Sequence, residues 1–111
     1  MIIKTKGYNI PIVTDLGTFT DGVKKEIGTV KEYKQLLNMV KNSGLCYGVF
    51  TLGDSLLKGY AICNPYPDES AIEIVITTYH GNIPQLIIGT YSLESNKTYM
   101  KFTQIIIEQS T

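Results

Sequence analysis

Residues 29–52, TVKEYKQLLNMVKNSGLCYGVFTL, contain the point at which the hydrophobic period of the chain changes, and that change decides the fold. Thr29 and Glu32 form the capping box T-x-x-E: the threonine oxygen takes the N–H of the third helical residue, and the glutamate reaches back to the cap's own N–H. Val30, Tyr33, Leu36, Leu37 and Val40 follow at i, i+3, i+6, i+7 and i+10. This spacing draws one apolar stripe along a helix of about 30–43 and turns Lys31, Lys34, Gln35, Asn38 and Lys41 toward water. Lys41 falls where the helix dipole favours a cation, and Gly44 where a left-handed terminating residue is expected. From Leu45 the period drops from 3.6 to 2, the signature of strands. A one-stripe helix followed by strands needs a sheet to cover.

Five strands follow, at about 45–52, 56–63, 71–79, 85–93 and 97–108. The intervening Gly53-Asp54, Asn64-Pro65-Tyr66-Pro67-Asp68, His80-Gly81-Asn82 and Ser95-Asn96 are all turn-formers. Short connections make an antiparallel meander. The Ser95-Asn96 loop sets Glu94 opposite Lys97, where an ion pair is expected. Upstream, residues 1–14 read as one bent strand or two short ones, broken at Gly7 and Pro11. Residues 15–28 read either as a hairpin turning at Asp21-Gly22 with a type I′ turn, or as a short helical turn capped by Asp21. The expected fold is therefore α+β, a single domain over 1–111. It is a five- to seven-stranded, mostly antiparallel sheet with one main amphipathic helix on one face. The last strand, TYMKFTQIIIE, would be an adhesive edge if left unpaired, and homodimerisation through it is one remedy.

The chain has 111 residues, ten lysines and ten acids, giving no net charge to steer it onto phosphate or acidic membrane. Arginine is absent, so the bidentate fork that reads guanine and grips phosphate is missing, and sequence-specific nucleic-acid binding is disfavoured. No apolar run reaches the length of a membrane span, and Lys4 and Lys6 interrupt the apolar start, so a soluble, cytoplasmic protein is expected. Ile, Thr, Lys, Tyr and Asn are abundant while alanine is nearly missing, a bias that follows A/T-rich codons and fits a small viral or mobile-element protein.

Gly53-Asp54-Ser55-Leu56 resembles the nucleophile block of GDSL-type serine esterases, in which the serine attacks an ester carbonyl. The resemblance covers four residues. That family places the block after the first strand and its histidine late in the chain within Asp-x-x-His, whereas here Thr77 stands three before the only histidine, His80. The catalytic candidates it leaves are Ser55 and His80, and a serine without an oriented base is a poor nucleophile. Since a four-letter motif out of its context matches easily by chance, the favoured reading of Gly53 and Asp54 is instead the tip of a β-hairpin. If its loop is Asp54-Ser55, Cys46 stands opposite Cys63; if it is Gly53-Asp54, Cys46 stands opposite Ala61. Two cysteines and one histidine fall short of a structural zinc set, and Asp15, Asp21, Asp68, Glu69 and Glu73 show no metal-loop spacing. They read as turn caps and surface charge. No phosphate-cradling glycine motif occurs, so neither metal nor cofactor is expected.

What remains is tyrosine, a rigid amphipathic side chain enriched at interfaces. Tyr33 belongs to the helix stripe and is expected in the core. Tyr47, Tyr60, Tyr66, Tyr79, Tyr91 and Tyr99 are the candidate binding residues. The leading expectation is a small non-catalytic protein-binding module acting on a host protein. The alternative is a small-ligand or nucleotide-binding module with a cleft between helix and sheet, and a compact hydrolase comes third.

Overall fold

The structure, a computed structural model, describes residues 2–6, 10–14, 17, 19–41, 46–52 and 55–106, with side chains described for 17, 19–41, 61–79 and 81–105. Among these, one helix packs on an eight-stranded sheet, an α+β arrangement. The strands are β1 (Ile2–Lys6), β2 (Ile10–Thr14), β3 (Lys25–Glu26), β4 (Cys46–Leu52), β5 (Ser55–Pro65), β6 (Ala71–His80), β7 (Ile83–Glu94) and β8 (Lys97–Ile106), and the helix α1 is Val30–Lys41. Their order in the sheet is β1-β2-β4-β5-β6-β7-β8-β3. β4 to β8 form the expected antiparallel meander. The N-terminal segment resolves into two short strands, antiparallel to each other, and β2 then lies parallel to β4. The strand count exceeds the expected five to seven because residues 25–26 pair with β8 as a short outer strand.

That outer strand explains the helix. The chain leaves β2, pairs with β8 on the far side of the sheet, and must return to start β4 beside β2. Five inter-strand steps of about 4.8 Å separate β3 from β4, roughly 24 Å. A helix of 12 residues spans about 18 Å of that return, and it crosses one face of the sheet to do so. Tyr33, Leu36, Leu37 and Val40 are buried beneath it, as the stripe requires, while Val30 is half-buried. They pack on Ala61, Cys63, Ile72, Ile74, Ile76, Ile87, Tyr91, Met100 and Phe102. Each of these strand residues belongs to one parity of its strand, so the opposite parity faces away from the helix. The capping box forms as read: Thr29 N–H donates to Glu32 Oε1 at 2.9 Å, and Glu32 N–H donates to Thr29 Oγ1 at 3.2 Å.

Gly89 in β7 is fixed by packing. A Cβ there would collide with the Lys101 carbonyl oxygen and the Phe102 ring, which fills the space over the glycine and meets Phe19 edge-on at 5.3 Å.

Three expectations need correction. Residues 21–22 do form a turn, with Val23 N–H donating to Thr20 O at 3.0 Å, but only Gly22 has a positive φ. A type I′ turn needs two, so the turn is of another type, and no strands pair across it among the described residues. Instead the segment lies along β8. Gly22 N–H donates to Phe102 O, Ile27 N–H to Thr98 O, and Asp21 Oδ1 accepts from Gln104 N–H. The β8 edge is thereby occupied by the chain itself, which removes the reason for homodimerisation through it. Glu94 does stand opposite Lys97, across a Ser95-Asn96 turn in which both residues have positive φ. Its ion-pair partner is nevertheless Lys24, at 2.6 Å, which the covering segment brings across β8. Finally, β4 and β5 use both hairpin registers. Leu52 pairs with Ser55 next to the connection, and beyond a bulge between Phe50 and Leu52 the register sets Cys46 opposite Cys63.

Candidate functional site

The sheet face away from α1 is where exposed apolar side chains gather. In register across it, Ile62, Val75 and Ile88 form one row and Thr77, Leu86 and Ile105 the next, with Tyr79 beyond. Ile62, Val75 and Leu86 are half-buried, whereas Ile88 is 37% exposed, Ile105 43% and Tyr79 70%. Toward the other end of the same strands the face becomes polar, with Glu73, Thr90 and Lys101 in one row and Ala71, Ser92 and Tyr99 in the next. Single exposed hydrophobic residues are ordinary on a protein surface, whereas these share one face that no helix among the described residues covers.

At the polar end a basin of about 320 Å³ opens. Its floor is the Thr90, Ser92, Tyr99 and Lys101 side of β7 and β8, and its walls are Tyr66 in the β5–β6 loop and Lys24 in the segment along β8. The Lys24 ammonium sits 2.6 Å from Glu94 Oε2 and 4.7 Å from the centre of the Tyr99 ring. Lys24 holds the Glu94 carboxyl below the usual carboxylate range, with the Ser92 hydroxyl adding a weaker contact at 3.3 Å.

The loop bearing Tyr66 is tied on both sides. Tyr66 N–H donates to Ala71 O, and Glu69 N–H to Tyr66 O. Asp68 Oδ1 accepts from the Ser70 hydroxyl at 2.7 Å and from its N–H at 3.1 Å, which lowers the Asp68 pKa. Leu93 N–H donates to Ser70 O, joining the loop to β7. On the helix side the Tyr33 hydroxyl donates to Glu69 O at 2.7 Å, and Lys41 lies 3.7 Å from the Glu69 carboxylate. Glu69 holds a left-handed φ of 62°, a strained conformation for a side chain of its kind, and the Tyr33 bond anchors it there.

Of the tyrosines singled out from sequence, Tyr66 and Tyr99 meet in the basin, and Tyr79 lies exposed at the far end of the same face. Tyr91 is a correction. It belongs to the parity of β7 that faces the helix and is fully buried, with its ring edge-on to Tyr33 at 5.0 Å. It is core, and cannot grip a partner. The backbone register sets Tyr47 opposite Ile62 and Tyr60 opposite Thr77, but their side chains lie outside the described residues. Ser55 opens β5 and His80 closes β6; since these strands are antiparallel neighbours, both stand at the same end of the sheet. Their side chains also lie outside the described residues.

The core cluster fills the middle of the helix–sheet interface, while at its margin a cleft of about 320 Å³ opens between α1, at Tyr33, Lys34, Leu37 and Lys41, and Glu69 and Leu93; a Tyr, Thr and Lys lining of the kind expected also occurs on the opposite face. The two lysines of the basin escaped sequence reading. Lys24 arrives through a segment without regular period, although the alternation of β8 could have placed Lys101 beside Tyr99. Among the described residues no cluster of His, Cys, Asp and Glu could hold a metal ion, and no helix is long and apolar enough to cross a membrane. Comparison with family models, with curated proteins and with solved structures returns no match.

Proposed function

We propose that the protein is a non-catalytic binding module whose partner is another protein, docked on the sheet face that α1 leaves uncovered. One observation carries this reading: Ile88, Ile105 and Tyr79 are exposed together on that face, over half-buried Ile62, Val75 and Leu86. An apolar centre with polar residues at one end is the anatomy of a protein interface. The β8 edge is covered by the chain itself from Thr98 to Gln104, which leaves the open face as the surface on offer beside it. The residue bias toward A/T-rich codons is the support for a viral or mobile-element protein that modulates a host protein.

The test is a double variant, Ile88→Asp with Ile105→Lys, compared with wild type for the proteins each retains from the native cell background. Both positions are exposed, so the melting temperature should hold while a partner retained at fixed stoichiometry by wild type is lost. A partner retained equally by both would end the assignment to this face.

A further inference from the structure

The basin at the polar end of the open face shows features of a small-molecule site that are independent of the apolar rows. Its volume, about 320 Å³, lies at the lower end of the range for small-ligand pockets. Both walls are preformed. Tyr66 is held by a loop with backbone, side-chain and helix ties, and Lys24 by Glu94 and the Tyr99 ring. A ligand would therefore enter without ordering the backbone of either wall or the Lys24 side chain, which lowers the entropic cost of binding.

The charges are unequal. The basin holds two ammonium groups, Lys24 and Lys101, and one carboxylate, Glu94. Lys24 already neutralises Glu94, whereas Lys101 forms no ion pair among the described residues. Glu73 stands in the same row as Lys101 but two strands away, with Thr90 between them, and it does not line the basin. One uncompensated positive charge thus stands on a floor carrying the Thr90 and Ser92 hydroxyls, with tyrosine rings at two sides. Lysine binds as a point charge and hydroxyls donate to an oxyanion, while a tyrosine ring offers its face to a flat apolar body.

We infer that this basin is a binding site for a small, flat molecule carrying one negative charge, an aromatic carboxylate in chemical class, with the acid on Lys101 and Thr90 and the ring against Tyr66. The probes are benzoate, its neutral isostere benzamide, and acetate, which has the charge without the ring. Each is titrated at millimolar concentration into uniformly ¹⁵N-labelled protein while backbone amide shifts are followed. Benzoate is expected to move the amides of Thr90, Ser92, Tyr99 and Lys101 with an affinity about tenfold or more above either control, and to leave the α1 amides in place. Lys101→Met should reduce the benzoate affinity to that of benzamide, and Tyr66→Ala should reduce it to that of acetate. Both positions are exposed, and an unchanged melting temperature establishes that each variant is folded. Equal affinity for benzoate and acetate, equal affinity for benzoate and benzamide, shifts centred elsewhere, or a benzoate response unaltered by Lys101→Met would each overturn the assignment.

Discussion

Two buried tyrosines, ring against ring, differ in what their hydroxyls meet, and deleting one oxygen from each should change stability in opposite directions. Tyr33 and Tyr91 are both fully buried, with ring centres 5.0 Å apart at 78°. The Tyr33 hydroxyl donates to Glu69 O at 2.7 Å, whereas the Tyr91 hydroxyl makes no hydrogen bond of ordinary geometry among the described residues and has only a weaker contact with the Thr98 hydroxyl, too little to offset its burial. The neighbouring Thr98 hydroxyl donates to Ile27 O instead. Tyr33→Phe removes a hydrogen bond worth about 0.5–1.5 kcal/mol net, and leaves the strained Glu69 carbonyl without its anchor, so a loss of about 1–2 kcal/mol is expected. Tyr91→Phe removes a buried, unsatisfied oxygen whose desolvation costs about 1–3 kcal/mol, so stability should rise by about 1 kcal/mol. Urea denaturation reads both: the midpoint should fall for the first variant and rise for the second, with unchanged slope.

The same pair makes the alkaline limb informative. Burial pushes the Tyr33 phenol up to about 12, helped by Asp68 and Glu69, and raises Tyr91 further. A phenol whose folded pKa exceeds its unfolded value contributes stability that is intact below about pH 10 and is lost as pH rises toward the folded value. Tyr91→Phe should therefore flatten the loss of stability above that pH. Equal destabilisation by both variants would refute the reasoning, because it would mean that Tyr91 has a partner after all.

Gly89→Ala should destabilise by about 1–3 kcal/mol or more, since the added methyl meets a backbone oxygen that cannot move aside, and the same denaturation series measures it. Thr29→Ala should lower stability by about 1 kcal/mol through loss of the cap, and Thr29→Ser should restore most of it. The Glu94 and Asp68 carboxyls are held low by Lys24 and Ser70 respectively, so their contribution is present above the ordinary carboxylate range and is lost as pH falls through their folded values. Glu94→Gln should accordingly reduce the acid-side slope of the melting temperature, and an unchanged slope would count against the Lys24 contact.

The helix, the five meander strands and the turns at 66–70, 81–82 and 95–96 are legible because each carries a local signal. The capping box, the 3.6-residue stripe and the Ser95-Asn96 turn are all decided within a few residues of themselves. The path of residues 19–27 was not, because its hydrogen bonds go to Thr98, Phe102 and Gln104, more than seventy positions downstream. Nothing local marks such a segment as an edge cover. The basin was missed for the same reason: Lys24 reaches Glu94 and Tyr99 only through that long-range path. Tyr91 stands among the binding candidates of the sequence because strand alternation says which residues share a face, and not which face the helix covers. The parity of Ile72, Ile74 and Ile76, carried across the register to Tyr91, would have placed it in the core. The two cysteine registers were both partly right, since a bulge is a compromise between turn chemistry and the pairing of the strand bodies.

The central claim is that binding takes place on the face opposite α1, and photo-crosslinking tests it most directly. A benzophenone side chain is placed at Ile88 on that face in one variant and at Lys34 on the exposed side of the helix in another, and both are irradiated in the cells that make the protein. A discrete adduct from position 88 and none from position 34 is the predicted result. An adduct from position 34 alone, or none from either, would contradict the account.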